Sequence, residues 1–185
     1  MSQRTTLIAA AGIVAATALV LHLMGRVPIC ECGEIRLWYG DAGGPGNSQH
    51  LSDWYTFSHV IHGFIFYGAL WFLRGRLSLG TRLLLAIGIE SAWEIVENTD
   101  FIIDRYREQT VSLDYHGDSI LNSVSDILFM VAGFFLARRL PVAATVAIAV
   151  ALEIWVGFMI RDNLTLNVLM LLWPLEAVRE WQAGG

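Results

Sequence analysis

Five stretches of this chain approach the roughly 20 mostly apolar residues that a helix needs to cross a hydrocarbon core. They run from Leu7 to Met24, Tyr55 to Leu73, Leu83 to Ile103, Ile120 to Leu136 and Val142 to Ile160. In lipid, every backbone polar group must be paired within the segment, so apolar runs of this length specify helices. A sixth run, Leu164 to Val178, is short and contains Pro174, and fits a re-entrant or interfacial segment as well as a span. The expected fold is an all-α, polytopic transmembrane helix bundle occupying residues 1–185 as one integral membrane domain.

Composition agrees. The chain is 55% hydrophobic and 16% charged, with a mean hydropathy of +0.53, whereas soluble domains carry about a quarter charged residues. The formal charge is −5 and all 12 cationic residues are arginine, which leaves no basic stripe for a phosphate backbone and argues against nucleic acid as a partner. Leu23-Met24-Gly25-Arg26 lacks the small residues of a signal cleavage site, so the first run is expected to stay as an anchor.

Arginine placement predicts orientation. Arg4, the loop with Arg74, Arg76 and Arg82, and the Arg138-Arg139 pair alternate correctly for the cytoplasmic side of a membrane. The N-terminus is then cytoplasmic, and segments 26–54, 104–118 and 161–163 face outward. The first of these is Gly-rich over Asp41 to Gly46, a loop signature, and Trp54-Tyr55 marks an interface.

The informative residues are polar ones inside the apolar runs: His59 and His62; Glu90, Glu94 and Glu97; Asn122 and Asp126; and Glu153. An intramembrane carboxylate costs about 2.5–3.5 kcal/mol on insertion scales, so five left ionised and unpaired would cost on the order of 12–18 kcal/mol. They must be paired, protonated, hydrated or bound to metal. Spacings of three, four, seven and eight residues put each set on one helix face. At about 1.5 Å per residue, with outer boundaries near Tyr55, Arg105, Asp118 and Arg161, the residues His62, Glu97, Asp126 and Glu153 share a layer roughly 10–12 Å deep. His59 and Asn122 are expected nearer the surface, and Glu90 and Glu94 deeper. A polar cavity opening outward is the structural expectation.

Such a set suits a divalent metal ion held by His59, His62, Glu94, Glu97 and Asp126. Glu94, Asp126 and Glu97 are the candidate catalytic carboxylates. Arg105, Arg107 and Arg161 are candidate clamps for an anionic headgroup, because guanidinium matches phosphate bidentately, with Asn122 and Asp118 beside them. The loop 104–118 also offers Asp104, Asp114 and His116. Against this stands the plainer reading of buried polar groups as glue between helices, which is preferred for the isolated His22 and Glu153. Trp71, Trp93 and Trp155 read as packing or interface residues. The spacing of Cys30 and Cys32 disfavours a bridge between the two, leaving a bond between chains or a soft metal. The sequence contains no phosphate-binding glycine loop and no nucleophile elbow.

Several of these residues also resemble a bacterial family of multi-pass membrane proteins of unknown function. The stretches are Asn47-Ser48-Gln49-His50, Asp53-Trp54-Tyr55, Ser58-His59 with His62-Gly63, Trp93-Glu94 with Glu97-Asn98, Asp114 to Asp126, and Arg161-Asp162-Asn163-Leu164-Thr165. The likeness runs from Cys30 onward and departs at the Gly-rich 41–46 loop. It implies residence in the plasma membrane and no particular activity.

Three functions remain in view. The first is an enzyme that uses a divalent ion to hydrolyse or transfer groups on a lipid or polyprenyl phosphate. The second is a proton- or ion-coupled carrier with Glu90 at mid-membrane. The third is a non-catalytic assembly factor whose polar layer only joins helices.

Overall fold

A computed structural model describes residues 2–109 and 115–184, and is all-α. Eight helices form among these residues: α1 (Gln3–Leu23), α2 (Thr56–Trp71), α3 (Leu79–Glu97), α4 (Asp100–Gln109), α5 (Ile120–Arg139), α6 (Val142–Ile160), α7 (Leu164–Leu172) and α8 (Glu176–Gln182). Asp114 lies outside the described residues. Helices α1, α5 and α6 are long and apolar enough to cross a membrane. By contrast α2 has 16 residues, and α3 carries Arg82, Glu90, Glu94 and Glu97 along its length.

Local chemistry accounts for the helix starts. Ser2, Ser78, Ser119 and Asn163 each turn a side-chain oxygen onto a free backbone N–H in the first turn of α1, α3, α5 and α7. Pro141, which has no N–H to leave unpaired, opens α6.

The central contact is α2 lying along α5. Glycines make it possible. A Cβ on Gly63 would collide with the Met130 carbonyl, and one on Gly133 with the Val60 carbonyl, so the two backbones touch as small-residue pairs allow in membrane bundles. Helix α1 packs along α3. The apolar core is Leu70, Leu83, Ala86, Ile87, Ile127, Met130 and Phe134. Helix α6 stands at the edge and exposes Val142, Val146, Val150, Ile154 and Phe158, one stripe at helical spacing.

Two expectations need correction, and the sixth run, left open in the sequence, is divided. The run Leu83 to Ile103 is not one helix: α3 ends at Glu97, and α4 starts after a break at Asn98-Thr99. The Asn98 amide donates both to the Glu94 carbonyl and to Asp118 Oδ2, which diverts the chain out of the helix. The run Leu164 to Val178 also divides, α7 ending before Trp173-Pro174 and α8 following. Nine residues reach roughly 14 Å, under half of a hydrocarbon core of about 30 Å, so α7 is no span by itself. Finally, Cys30 and Cys32 are disulfide-bonded to each other. The turn ending at Gly33, whose φ is +75°, brings their Cα atoms to 5.1 Å, inside the usual range for a bridge.

Candidate functional site

Helices α2, α3 and α5 meet around His59. Its Nδ1 is 2.7 Å from Glu90 Oε1 and 3.5 Å from Glu94 Oε1, and its Nε2 is 3.6 Å from Asp126 Oδ2. One turn along α2, His62 Nδ1 lies 3.1 Å from both Glu90 oxygens. Glu90 and Glu94 are completely buried and Asp126 nearly so. Even a protonated His59 would set one positive charge against three carboxylates. Neither oxygen of Glu94 has a hydrogen-bond partner among the described residues. A buried carboxylate that accepts no hydrogen bond is costly, and that group is the site's most unusual feature.

Toward the ends of these helices, Glu97 faces α4 and Asp118 the start of α5. Tyr106 Oη is 3.0 Å from Glu97 Oε1 and 2.7 Å from Asn167 Oδ1. Asn98 and Asp118 form a reciprocal pair: the Asp118 N–H donates to Asn98 Oδ1 at 2.7 Å, and Asn98 Nδ2 donates to Asp118 Oδ2 at 2.7 Å. Tyr115 donates its O–H to Asp118 Oδ1. Burial raises the Asp118 carboxyl above its ordinary range, opposed by the Asn98 and Tyr115 hydrogen bonds. In the preceding loop Asp53 accepts from the backbone N–H groups of Ser48 and Tyr55, and burial raises it likewise. Asn122 Nδ2 donates to the His50 carbonyl, tying that loop to α5.

These residues enclose a cavity of about 30 Å³, with Tyr55, His59, Glu97, Asp118, Asn122 and Asp126 among its walls. One water needs about 10–15 Å³ on this scale, so the space suits an ion with a water or two and is too tight for a lipid headgroup. Beside it lies a second cavity of about 760 Å³, formed by the loops that precede α2 and by Tyr115 to Asp118. Asn47, Tyr115 and Asp118 border both. Arg26 and Arg36 line the larger cavity. So do Cys30, Cys32 and His50, a ligand-like trio whose sulfurs are taken up by the bridge.

Of the residues singled out in the sequence, His59, His62, Glu94 and Asp126 converge, and Glu90, placed deeper by the depth estimate, touches both histidines. Glu97 and Asp118 meet Glu94 in an adjoining group, and Asn122 lines the small cavity. Glu153 stands apart from the cluster, as its structural reading expects, and its carboxylate accepts the backbone N–H groups of Leu164 and Thr165 at the start of α7. Arg105 Nε donates to the Leu171 carbonyl, Arg107 Nε to the Tyr115 carbonyl and Arg161 Nη1 to the Trp181 carbonyl. None of the three is among the residues bordering either cavity. Sequence reasoning missed Arg26, Asn98, Tyr106 and Asn167 as site residues. Only the Glu97-Asn98 adjacency hinted at any of them, because the others reach the site through loop and helix placement.

Helices fit to cross a membrane, packed with shorter ones around a buried histidine–carboxylate cluster, define a membrane-type helical protein with a candidate ion site. The chain belongs to the family described as protein of unknown function DUF2585, whose model matches residues 21–184. It is 63% identical to a UPF0314 protein of Sinorhizobium fredii over 98% of this chain and 94% of the relative. It is 64% identical to one of Rhizobium meliloti over 96% and 90%, and 61% identical to one of Paracoccus denitrificans over 93% and 89%. No solved structure matches the chain.

Proposed function

We propose that this protein is a divalent-cation-dependent enzyme of the bacterial plasma membrane that acts on a lipid or polyprenyl phosphate. The cation is held by His59, Glu94 and Asp126, with Glu90, His62 and Glu97 around them. The observation that carries the reading is the Glu94 carboxylate, fully buried with neither oxygen accepting a hydrogen bond among the described residues. A cation supplies the missing partner, and imidazole with carboxylate is a donor set that zinc, iron and manganese accept. When bound, such an ion polarises a phosphoryl oxygen or lowers the pKa of a water. The chain's own residues do the rest: Tyr55, Asn122 and Asp118 shape the small cavity, and Arg26 and Arg36 offer positive charge in the larger one for an anionic headgroup.

In this reading α2 and α3 cross the membrane beside α1, α5 and α6, the N-terminus is cytoplasmic, and both cavities open outward. A carrier is less well supported. Beyond Glu90 and Asp126 the bundle is filled by the apolar core around Ile87, Met130 and Phe134, which offers no polar route onward.

The test is metal content by mass spectrometry on detergent-purified protein, with Glu94→Gln alongside. The expected result is stoichiometric divalent metal in the wild type and its loss in the variant, together with accumulation of a phosphorylated lipid in cells carrying the variant. A folded, metal-free wild type would overturn the proposal.

A further inference from the structure

The site is larger than one ion requires. Three groups of potential ligands follow one another through it: His59, His62 and Glu90; then His59, Glu94 and Asp126; then Glu94, Glu97 and Asp118. Within each group one donor atom per residue lies within 4.8 Å of the others, near enough for a shared cation after small adjustments. The first and last groups have no residue in common. The middle group borrows His59 from the first and Glu94 from the last.

The geometry points to two divalent cations, an inner one on His59, His62 and Glu90 and an outer one on Glu94, Glu97 and Asp118, with Asp126 between them. This inference rests on the cation reading above and replaces its single ion on His59, Glu94 and Asp126 by two, one to either side of Asp126. Charge is the first argument. Glu90, Glu94, Glu97, Asp118 and Asp126 are five carboxylates in one connected cluster, and all but Glu97 are buried. With histidines bound as neutral ligands, one divalent ion leaves a buried excess of three negative charges, and two leave one. Buried charge without compensation is what protein interiors tolerate least.

The second argument is independent of charge. Acidic clusters are common without ions, but here the residue joining the outer group to the middle one is Glu94, and both its oxygens are buried without a hydrogen-bond partner among the described residues. Its neighbours are already oriented as supporting groups would orient metal ligands. Asp118 is held by Asn98 and Tyr115, and Tyr106 lies at hydrogen-bond distance from Glu97. The outer group opens on the small cavity, which borders the larger one at Asp118. A pair of ions in this position suits the opposed oxygens of a phosphoryl group, the use to which two-metal sites are put.

The experiment is equilibrium dialysis of the detergent-solubilised full chain against Mn²⁺, followed by metal counting, for the wild type, His62→Ala and Glu97→Gln. Each protein is checked for monodisperse elution and an unchanged helical signal, and His62→Gln or Glu97→Ala replaces a variant that fails the check. Two equivalents in the wild type and one in each variant are expected, because each substitution touches one end group alone. One equivalent in the wild type would overturn the two-cation assignment and leave the single-cation reading standing. So would a folded variant that keeps two equivalents or loses both. No Mn²⁺ in a folded wild type would overturn both.

Discussion

His59 on α2 and Glu90 on α3 stand 2.7 Å apart, Nδ1 to Oε1, with both side chains buried. The contact fixes one edge of the imidazole and leaves Nε2 turned toward Asp126 on α5, 3.6 Å away. A single histidine therefore joins three helices, and what occupies the space around it governs how stable the assembly is.

That dependence predicts a chelator effect. A ligand that binds only the folded state at 100 times its dissociation constant stabilises it by about 2.7 kcal/mol. Thermal unfolding in detergent should show EDTA lowering the midpoint of the wild type by several degrees. Glu94→Gln, which removes the buried charge, should be less sensitive to EDTA. Equal sensitivity in both proteins would place the bound ion elsewhere.

The α2–α5 contact makes a second prediction. Gly63→Ala and Gly133→Ala drive a methyl group into facing backbone, and overpacking of this kind costs typically 1–3 kcal/mol. Gly68 lies on the same helix as Gly63, with nothing within 4 Å of a built Cβ, so Gly68→Ala should be neutral or stabilising by up to about 1 kcal/mol. Unfolding in a denaturing detergent series would rank the three. A stable Gly63→Ala would mean that the helices are not packed this closely.

Asp162 predicts a pH dependence. It sits in the turn after α6, where burial raises its carboxyl to about 6, against opposing hydrogen bonds from the Tyr55 hydroxyl and the Asn163 N–H. The folded state thus holds this proton more tightly than the unfolded chain. Its contribution is complete below about pH 4 and is lost as pH rises through 6, roughly 3 kcal/mol at 1.36 kcal/mol per unit. The wild-type stability relative to Asp162→Asn should fall across that window and level off above it. A flat difference would show that Asp162 is not desolvated in solution.

Glu153 should behave as a structural residue. It accepts two N–H groups at the start of α7, and losing such a cap costs about 0.5–2 kcal/mol. Glu153→Ala should be destabilised by that amount with metal content unchanged. Loss of metal would bring Glu153 back into the site.

Much of this architecture was legible in the residues. Apolar runs marked α1, α5 and α6 almost to their ends, because lipid forces a helix on any long apolar segment. The spacing of His59 and His62, and of Glu90, Glu94 and Glu97, announced polar faces that had to meet. The third run was read as one unbroken helix, and nothing local showed that it would end at Glu97. Arg105, Arg107 and Arg161 read equally well as ligand clamps, and nothing in their neighbours revealed that each would donate to a backbone carbonyl.

The chain's order of residues determined the helical class, the apolar cores of the long helices and the presence of buried histidines and carboxylates, because periodicity and hydropathy are local properties. Tertiary structure alone decided that Asn98 would end α3 through its pairing with Asp118. It also decided that Glu90 rather than Glu153 would complete the cluster, and that Glu94 would be left without a hydrogen-bond partner among the described residues. Those outcomes depend on helix rotation, on the close approach permitted by Gly63 and Gly133, and on side chains distant in sequence that compete for the same donors.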